Sequence, residues 1–151
     1  NKYEIDISNR DHVKRGILSM IYGANNSTIS RIMRIKESKI NKIKEDLGIN
    51  KLKKDLEKEF EEKGFILNYY GRPITSDSNL VNYWIQSSTV DYCSLAFYQF
   101  IKEQKIKPSY FIHDSMTIEI ENNKLQDIKT ITHLTENISK ISIPVEIQKL
   151  G

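Results

Sequence analysis

Four side chains near the start of the sequence are spaced for a shared task. Arg10, Lys14, Leu18 and Tyr22 recur every four residues in RDHVKRGILSMIYGA, and Gly23 stops the run. In a helix, four-residue steps place successive side chains on nearly one line, drifting about 40° per step. Two cations, an apolar residue and an aromatic ring suit neither a buried stripe nor a fully solvated face. They suit a ligand with a charged end and a flat end, and a nucleoside triphosphate is such a ligand. A second candidate is Asp114, between His113 and Ser115 in SYFIHDSMTIEIE. A carboxylate at a hairpin tip is held by strand geometry where it can bind a divalent ion. An Asp there also favours the turn itself by bonding its own backbone, and cations on a helix face are often only solvated. Asn82 and Gln86 stand four apart, where their amides can bond each other or reach base edges in a groove.

Elements must position these groups. The segment from Asp11 to about Met33 predicts a helix, with Asn9 or Ser8 as its N-cap and Gly23 as an interruption. Ser27 or Asn26 is expected to cap the restart. Ile40, Ile43 and Leu47, then Leu52, Leu56 and Phe60, keep helical spacing over Glu37 to Leu47 and Leu52 to Lys63. Gly64 ends the second of these helices. FILNYYGRPI is rich in β-formers and breaks at its Gly-Arg-Pro. NYWIQSSTVDYCSLAFYQFIKEQ reads as one long helix with Ile85, Val90, Leu95, Phe97 and Phe100 in reach of a core. Around His113 and Asp114 the period becomes two, a strand, a tight turn and a strand, in which Met116, Ile118 and Ile120 alternate with Thr117 and Glu119. A helix from Lys124 to about Ile138 and a last strand in ISIPVEI are expected to follow, with Pro144 favouring a sheet edge. The fold class is α+β: a helical segment over 1–64, then an antiparallel β segment crossed by helices over 65–151.

Composition sets the limits. A chain of 151 residues, 38% apolar and 28% charged, can bury one ordinary core. The net charge of +3 is mild, so the placement of cations says more than their sum. They gather from Arg10 to Lys36, with Lys14, Arg15, Arg31 and Arg34, and again from Lys51 to Lys63 among acids. The single Cys93 allows no internal disulfide and fits a reducing compartment, so the expected location is cytoplasmic. No apolar run is long enough to span a bilayer as a helix, so no membrane partner is expected.

The order of these elements resembles the C-terminal part of family A DNA polymerases over nearly the whole chain. R-x3-K-x7-Y-G looks like the family's motif B on the fingers helix, and YFIHDSMTIEI like motif C in the palm. Between them stand the "GR" of Arg72 and an N-x3-Q-x4-D pattern beginning at Asn82. ISIPVEIQKLG is similar to the family's closing strand. The resemblance implies template-directed DNA synthesis by nucleotidyl transfer to a primer 3′-hydroxyl. It implies that Arg10 and Lys14 hold the incoming deoxynucleoside triphosphate, with Leu18, Tyr22 and Gly23 at the nascent base pair. It places Arg72, Asn82 and Gln86 against primer–template DNA and His113 at the primer terminus. Asp114 becomes a ligand of two Mg²⁺ ions, which activate the 3′-hydroxyl and stabilise the leaving pyrophosphate.

Departures from the pattern matter as much. Leu18 stands where motif B usually has an aromatic residue, and Ser115 where motif C has a glutamate. KRGILSMIYG and IHDS are similar to single-subunit, phage-type RNA polymerases, whereas NYWIQSSTVD and the short path from Tyr22 to Asp114 favour the DNA enzymes. Motif A, with its aspartate, has no counterpart; Glu4 and Asp6 are the acids before Arg10, and they sit too close to it. One carboxylate does not hold two metal ions in the usual way. The second is therefore expected from another segment or from an upstream polymerase polypeptide carrying motif A. A subunit that binds primer–template without chemistry is the remaining alternative.

Overall fold

The computed structural model describes residues 10–148 and is an α+β protein. Residues up to Gln86 form one compact unit and residues from Ser87 onward a second.

The first unit begins with α1 (Arg10–Ile21) and α2 (Asn26–Met33). Gly23, at φ +77°, ends α1. Its N–H bonds the Met20 carbonyl at 3.1 Å, and the Ala24 N–H bonds that of Ser19 at 2.9 Å. This is the paired closure of a helix whose next residue turns left-handed, a conformation that glycine adopts without a Cβ penalty. The restart is capped one residue earlier than expected. Asn25, not Ser27 or Asn26, is extended and accepts the Thr28 N–H at 2.8 Å, satisfying a free donor of the first turn. The first cap, assigned to Asn9 or Ser8, lies outside the described residues.

Helices α3 (Glu37–Asp46) and α4 (Ile49–Lys63) follow. α4 starts earlier than the apolar spacing predicts, directly after Gly48. Met20, Ile29, Met33, Ile35, Ile40 and Ile43 form one core across α1, α2 and α3. Gly16 makes the α1–α2 approach possible, since a Cβ there would lie 2.1 Å from Met33 Cγ. Lys44, on α3, bonds the Asn26 side chain at 2.9 Å. Burial and the neighbouring Lys53 hold its pKa below the usual lysine value.

A second core joins Leu56, Ile66, Leu80 and Val81 with Phe60, Ile74 and Trp84 around them. It pins a short hairpin, β1 (Ile66–Leu67) and β2 (Pro73–Ile74), against α4 and the start of α5 (Leu80–Gln104). Trp84 Nε1 donates to the Leu67 carbonyl at 3.0 Å. The buried Asn68 accepts the N–H groups of Tyr70 (3.0 Å) and Arg72 (2.8 Å), and so shapes the turn that presents Arg72.

In the second unit, α5 buries Tyr92, Cys93, Ala96 and Phe100. Of the core positions expected on this helix, Phe100 is buried, while Ile85, Val90, Leu95 and Phe97 are half-buried. β3 (Pro108–Ile112) and β4 (Ser115–Ile118) form the expected hairpin, with Ile112 paired to Ser115 across the tip. The helix predicted from Lys124 to Ile138 is much shorter. A 3-10 turn over Asn122–Lys124 leads into α6 (Leu125–Lys129), and the chain then turns into β5 (His133–Thr135). The Thr130 hydroxyl bonds the Asp127 carbonyl at 2.6 Å, occupying a helix-end acceptor. The β-branched Thr132 and Thr135 then favour the extended chain. β5 pairs with β6 (Ser142–Pro144), which lies in ISIPVEI. Tyr92 Oη lies 2.7 Å from the Ile141 carbonyl and 3.1 Å from that of Leu134, tying this hairpin to α5. The buried Glu136 carboxylate accepts the N–H groups of Ile138 and Ser139 and the Ser139 hydroxyl, closing the turn. Among the described residues the strands form three separate two-stranded antiparallel sheets. No described helix is long and apolar enough to cross a membrane.

Candidate functional site

The α1 line faces outward. Gly16 and Met20 are buried on one side of the helix, and Arg10, Lys14, Leu18 and Tyr22 are exposed on another. Leu18 is 36% exposed and Tyr22 48%. The buried face is thus used by the core, which leaves the two cations on the exposed side of the helix.

Tyr22 is fixed at both ends. Its carbonyl accepts from Asn79 Nδ2 at 3.4 Å, and its hydroxyl accepts from Gln86 Nε2 at 3.1 Å. Asn79 precedes α5 with a left-handed backbone, φ +50°, which asparagine tolerates better than most residues. Asn82, between these two along α5, carries a buried Oδ1 with no partner among the described residues. The two amides read as a pair therefore act separately: Gln86 bonds Tyr22, and the Asn82 oxygen waits for a donor. Arg72 is exposed beyond β1 on the turn that Asn68 organises.

The second unit carries the other candidates. His113 and Asp114 form the two-residue tip between β3 and β4, both exposed. His113 has a left-handed backbone at φ +52°, uncommon for a residue with a side chain and frequent at working sites. Ser115 Oγ donates to the Ile112 carbonyl at 3.0 Å, so its hydroxyl braces the turn. Behind the tip, burial and the Asp114 charge push the Cys93 thiol above its ordinary pKa. No group of three His, Cys, Asp or Glu able to hold a metal occurs among the described residues.

Asn79, Asn68 and Cys93 were not singled out by sequence reading. Asn79 had a usable signal, an asparagine directly before the long helix, where Asn is favoured. The proximity of Cys93 to Asp114 had none, because it depends on how a hairpin lies on α5.

No family model matches the sequence, and no curated protein matches it. Among solved structures the chain is similar to the POL domain of Pol1 from M. smegmatis, a structure in complex with DNA primer-template and dNTP. The TM-score is 0.59 at 16% identity, over 84% of this chain. The chain spans only 27% of the length of that polymerase chain. At so low an identity the likeness concerns architecture: the chain has a fold similar to part of a DNA polymerase domain.

Proposed function

We propose that this chain is the fingers and palm portion of a template-directed DNA polymerase of family A type, residues 1–64 being fingers-like and 65–151 palm-like. The observation that carries the reading is the exposed Arg10–Lys14–Leu18–Tyr22 line, with the opposite face of the same helix locked in a core. The likeness to a polymerase domain supports it. Arg10 and Lys14 neutralise and orient the triphosphate of an incoming deoxynucleotide. Leu18 and Tyr22 pack at the base, and Gly23 lets the backbone come close to the template. Arg72, Asn82 and Gln86 contact primer–template, and His113 sits beside the primer terminus. Asp114 is the carboxylate offered to Mg²⁺.

The described residues do not by themselves fit a two-Mg²⁺ centre, because Asp114 lies in no group of three possible ligands. The reading therefore includes an upstream polypeptide or segment carrying motif A and its aspartate. Ser115 and Leu18 favour a second reading, a piece of a phage-type RNA polymerase. A third is a primer–template binding subunit without chemistry.

Primer extension separates the three. The chain is mixed with the motif-A-bearing polypeptide, Mg²⁺ and primer–template, and offered deoxynucleotides or ribonucleotides. Incorporation of deoxynucleotides, removed by Asp114→Asn with DNA binding retained, is the expected result. Near-normal incorporation by that variant overturns the role of Asp114. Ribonucleotide preference selects the second reading, and binding without incorporation the third.

A further inference from the structure

We propose that the turn between β1 and β2 is a binding site for an unpaired nucleotide, with its base stacked on Tyr69 and a phosphate at Arg72. The inference rests on the reading above, in which this chain meets primer–template, and it assigns to this turn the single-stranded template beyond the primer end. The loop is built to hold its residues still. The Gly71 N–H bonds the Asn68 carbonyl at 3.0 Å, and the Asn68 N–H bonds that of Arg72 at 2.9 Å. Gly71 takes the left-handed backbone, φ +82°, that suits the last position of a short hairpin loop. Asn68, 4% exposed, braces the loop from inside by accepting the Tyr70 and Arg72 N–H groups.

Tyr69 and Tyr70 occupy the two central positions of this turn, where Asp, Asn, Ser, Gly and Pro are the usual residues and a ring adds nothing to the turn itself. The hairpin is already anchored by Ile66 and Ile74 in the second core. Tyr70 is half-buried and Tyr69 is 54% exposed. Their rings meet edge to face, with centroids 5.1 Å apart and planes at 76°. A ring met in this way by one neighbour keeps at least one face turned away from it. Tyr70 thus props an exposed ring on a braced backbone, a rigid flat surface that is ordered before a ligand arrives. Arg72 follows directly after the loop and is exposed. A flat apolar face beside a guanidinium matches one nucleotide, the base on the ring and the phosphate at the cation. A base inside a duplex has both faces stacked on its neighbours, so the ring takes an unpaired one.

The test is fluorescence anisotropy of two labelled ligands across a range of salt concentrations: a primer–template with a single-stranded overhang, and the same duplex with an abasic overhang. Tyr69→Ala should weaken binding of the first about 5- to 100-fold, the worth of one base stacked on an aromatic ring, and leave the second unchanged. Tyr69→Phe keeps the stacking face and should bind both as the wild type does. Stacking releases no counterions, so Tyr69→Ala should keep the slope of log K against log salt. Arg72→Gln should make that slope shallower by about 0.7, the value for one single-strand phosphate. Equal loss on both ligands, or loss on neither, overturns the stacking site while leaving the polymerase reading standing. Unchanged DNA binding by Tyr69→Ala, with association of the motif-A-bearing polypeptide lost, makes the turn a protein contact and also overturns the proposal. Absence of binding to either ligand by the wild type overturns both readings.

Discussion

At the residue scale, the chemistry assigned to each group follows from what surrounds it. Lys14 stands exposed on a helix whose far side is occupied, so its removal should leave the fold intact and act on the ligand. Lys14→Ala should lower incorporation through use of the nucleotide, by about 2–4 kcal/mol, the usual loss when a charged donor to a reacting phosphate is taken away. Steady-state kinetics read this directly: a change in DNA affinity with nucleotide dependence untouched would make Lys14 a backbone contact instead. Asp114 can be probed without any catalysis, through Cys93. Its negative charge disfavours the thiolate and adds to the effect of burial, so the thiol titrates above its ordinary value. Asp114→Asn removes the charge but not the burial. The pH profile of Cys93 alkylation should therefore move to lower pH in the variant, toward the ordinary value without reaching it. A profile that does not move would separate the tip from α5.

At the scale of elements, the positioning of the α1 line depends on one close approach. Gly16 admits Met33, and a Cβ there would lie 2.1 Å from its Cγ and 2.5 Å from its Sδ. Two effects oppose each other in Gly16→Ala. Alanine raises intrinsic helix stability by about 1 kcal/mol, whereas overpacking a tight contact costs about 1–3 kcal/mol. Met33 is 4% exposed and has little room to turn aside, so the clash should win and the variant should be less stable by about 1 kcal/mol. The same substitution in a Met33→Ala background has no clash to meet and should be stabilising. Urea denaturation of the four proteins gives both signs; a penalty that persists without Met33 would place the strain elsewhere.

At the scale of the whole molecule, the proposed reading turns on where a second carboxylate comes from. The described residues hold a candidate triphosphate line and one candidate carboxylate at a hairpin tip, and no group of three possible metal ligands. All five residues of β3 are exposed, Tyr110, Phe111 and Ile112 among them. Alone, this chain should not extend a primer even with Mg²⁺; mixed with a polypeptide bearing motif A, it should. Extension by the highly purified chain, abolished by Asp114→Asn, would show that its second metal ligand lies within these residues.

Much of this was legible in the sequence because it is local. Four-residue spacing made the α1 line, Gly23 marked its end, and Asn-rich chemistry after it called for a cap, although the structure chose Asn25. The alternation around His113 and Asp114 specified a hairpin, and the long apolar pattern specified α5. Each of these depends on neighbours within a turn or a strand, where backbone preference and side-chain period decide. What the tertiary structure alone decided joins residues far apart. Gln86 reaches Tyr22 across 64 residues, and Gly16 meets Met33 from another helix. Cys93 lies close enough to Asp114 to feel its charge. The stretch after Lys129 shows the same division. Its apolar spacing allowed a helix, but pairing of Leu134 with Ile143 and the hydroxyl of Tyr92 hold it as a strand, because cross-strand bonds and a buried tyrosine outweigh a weak local preference.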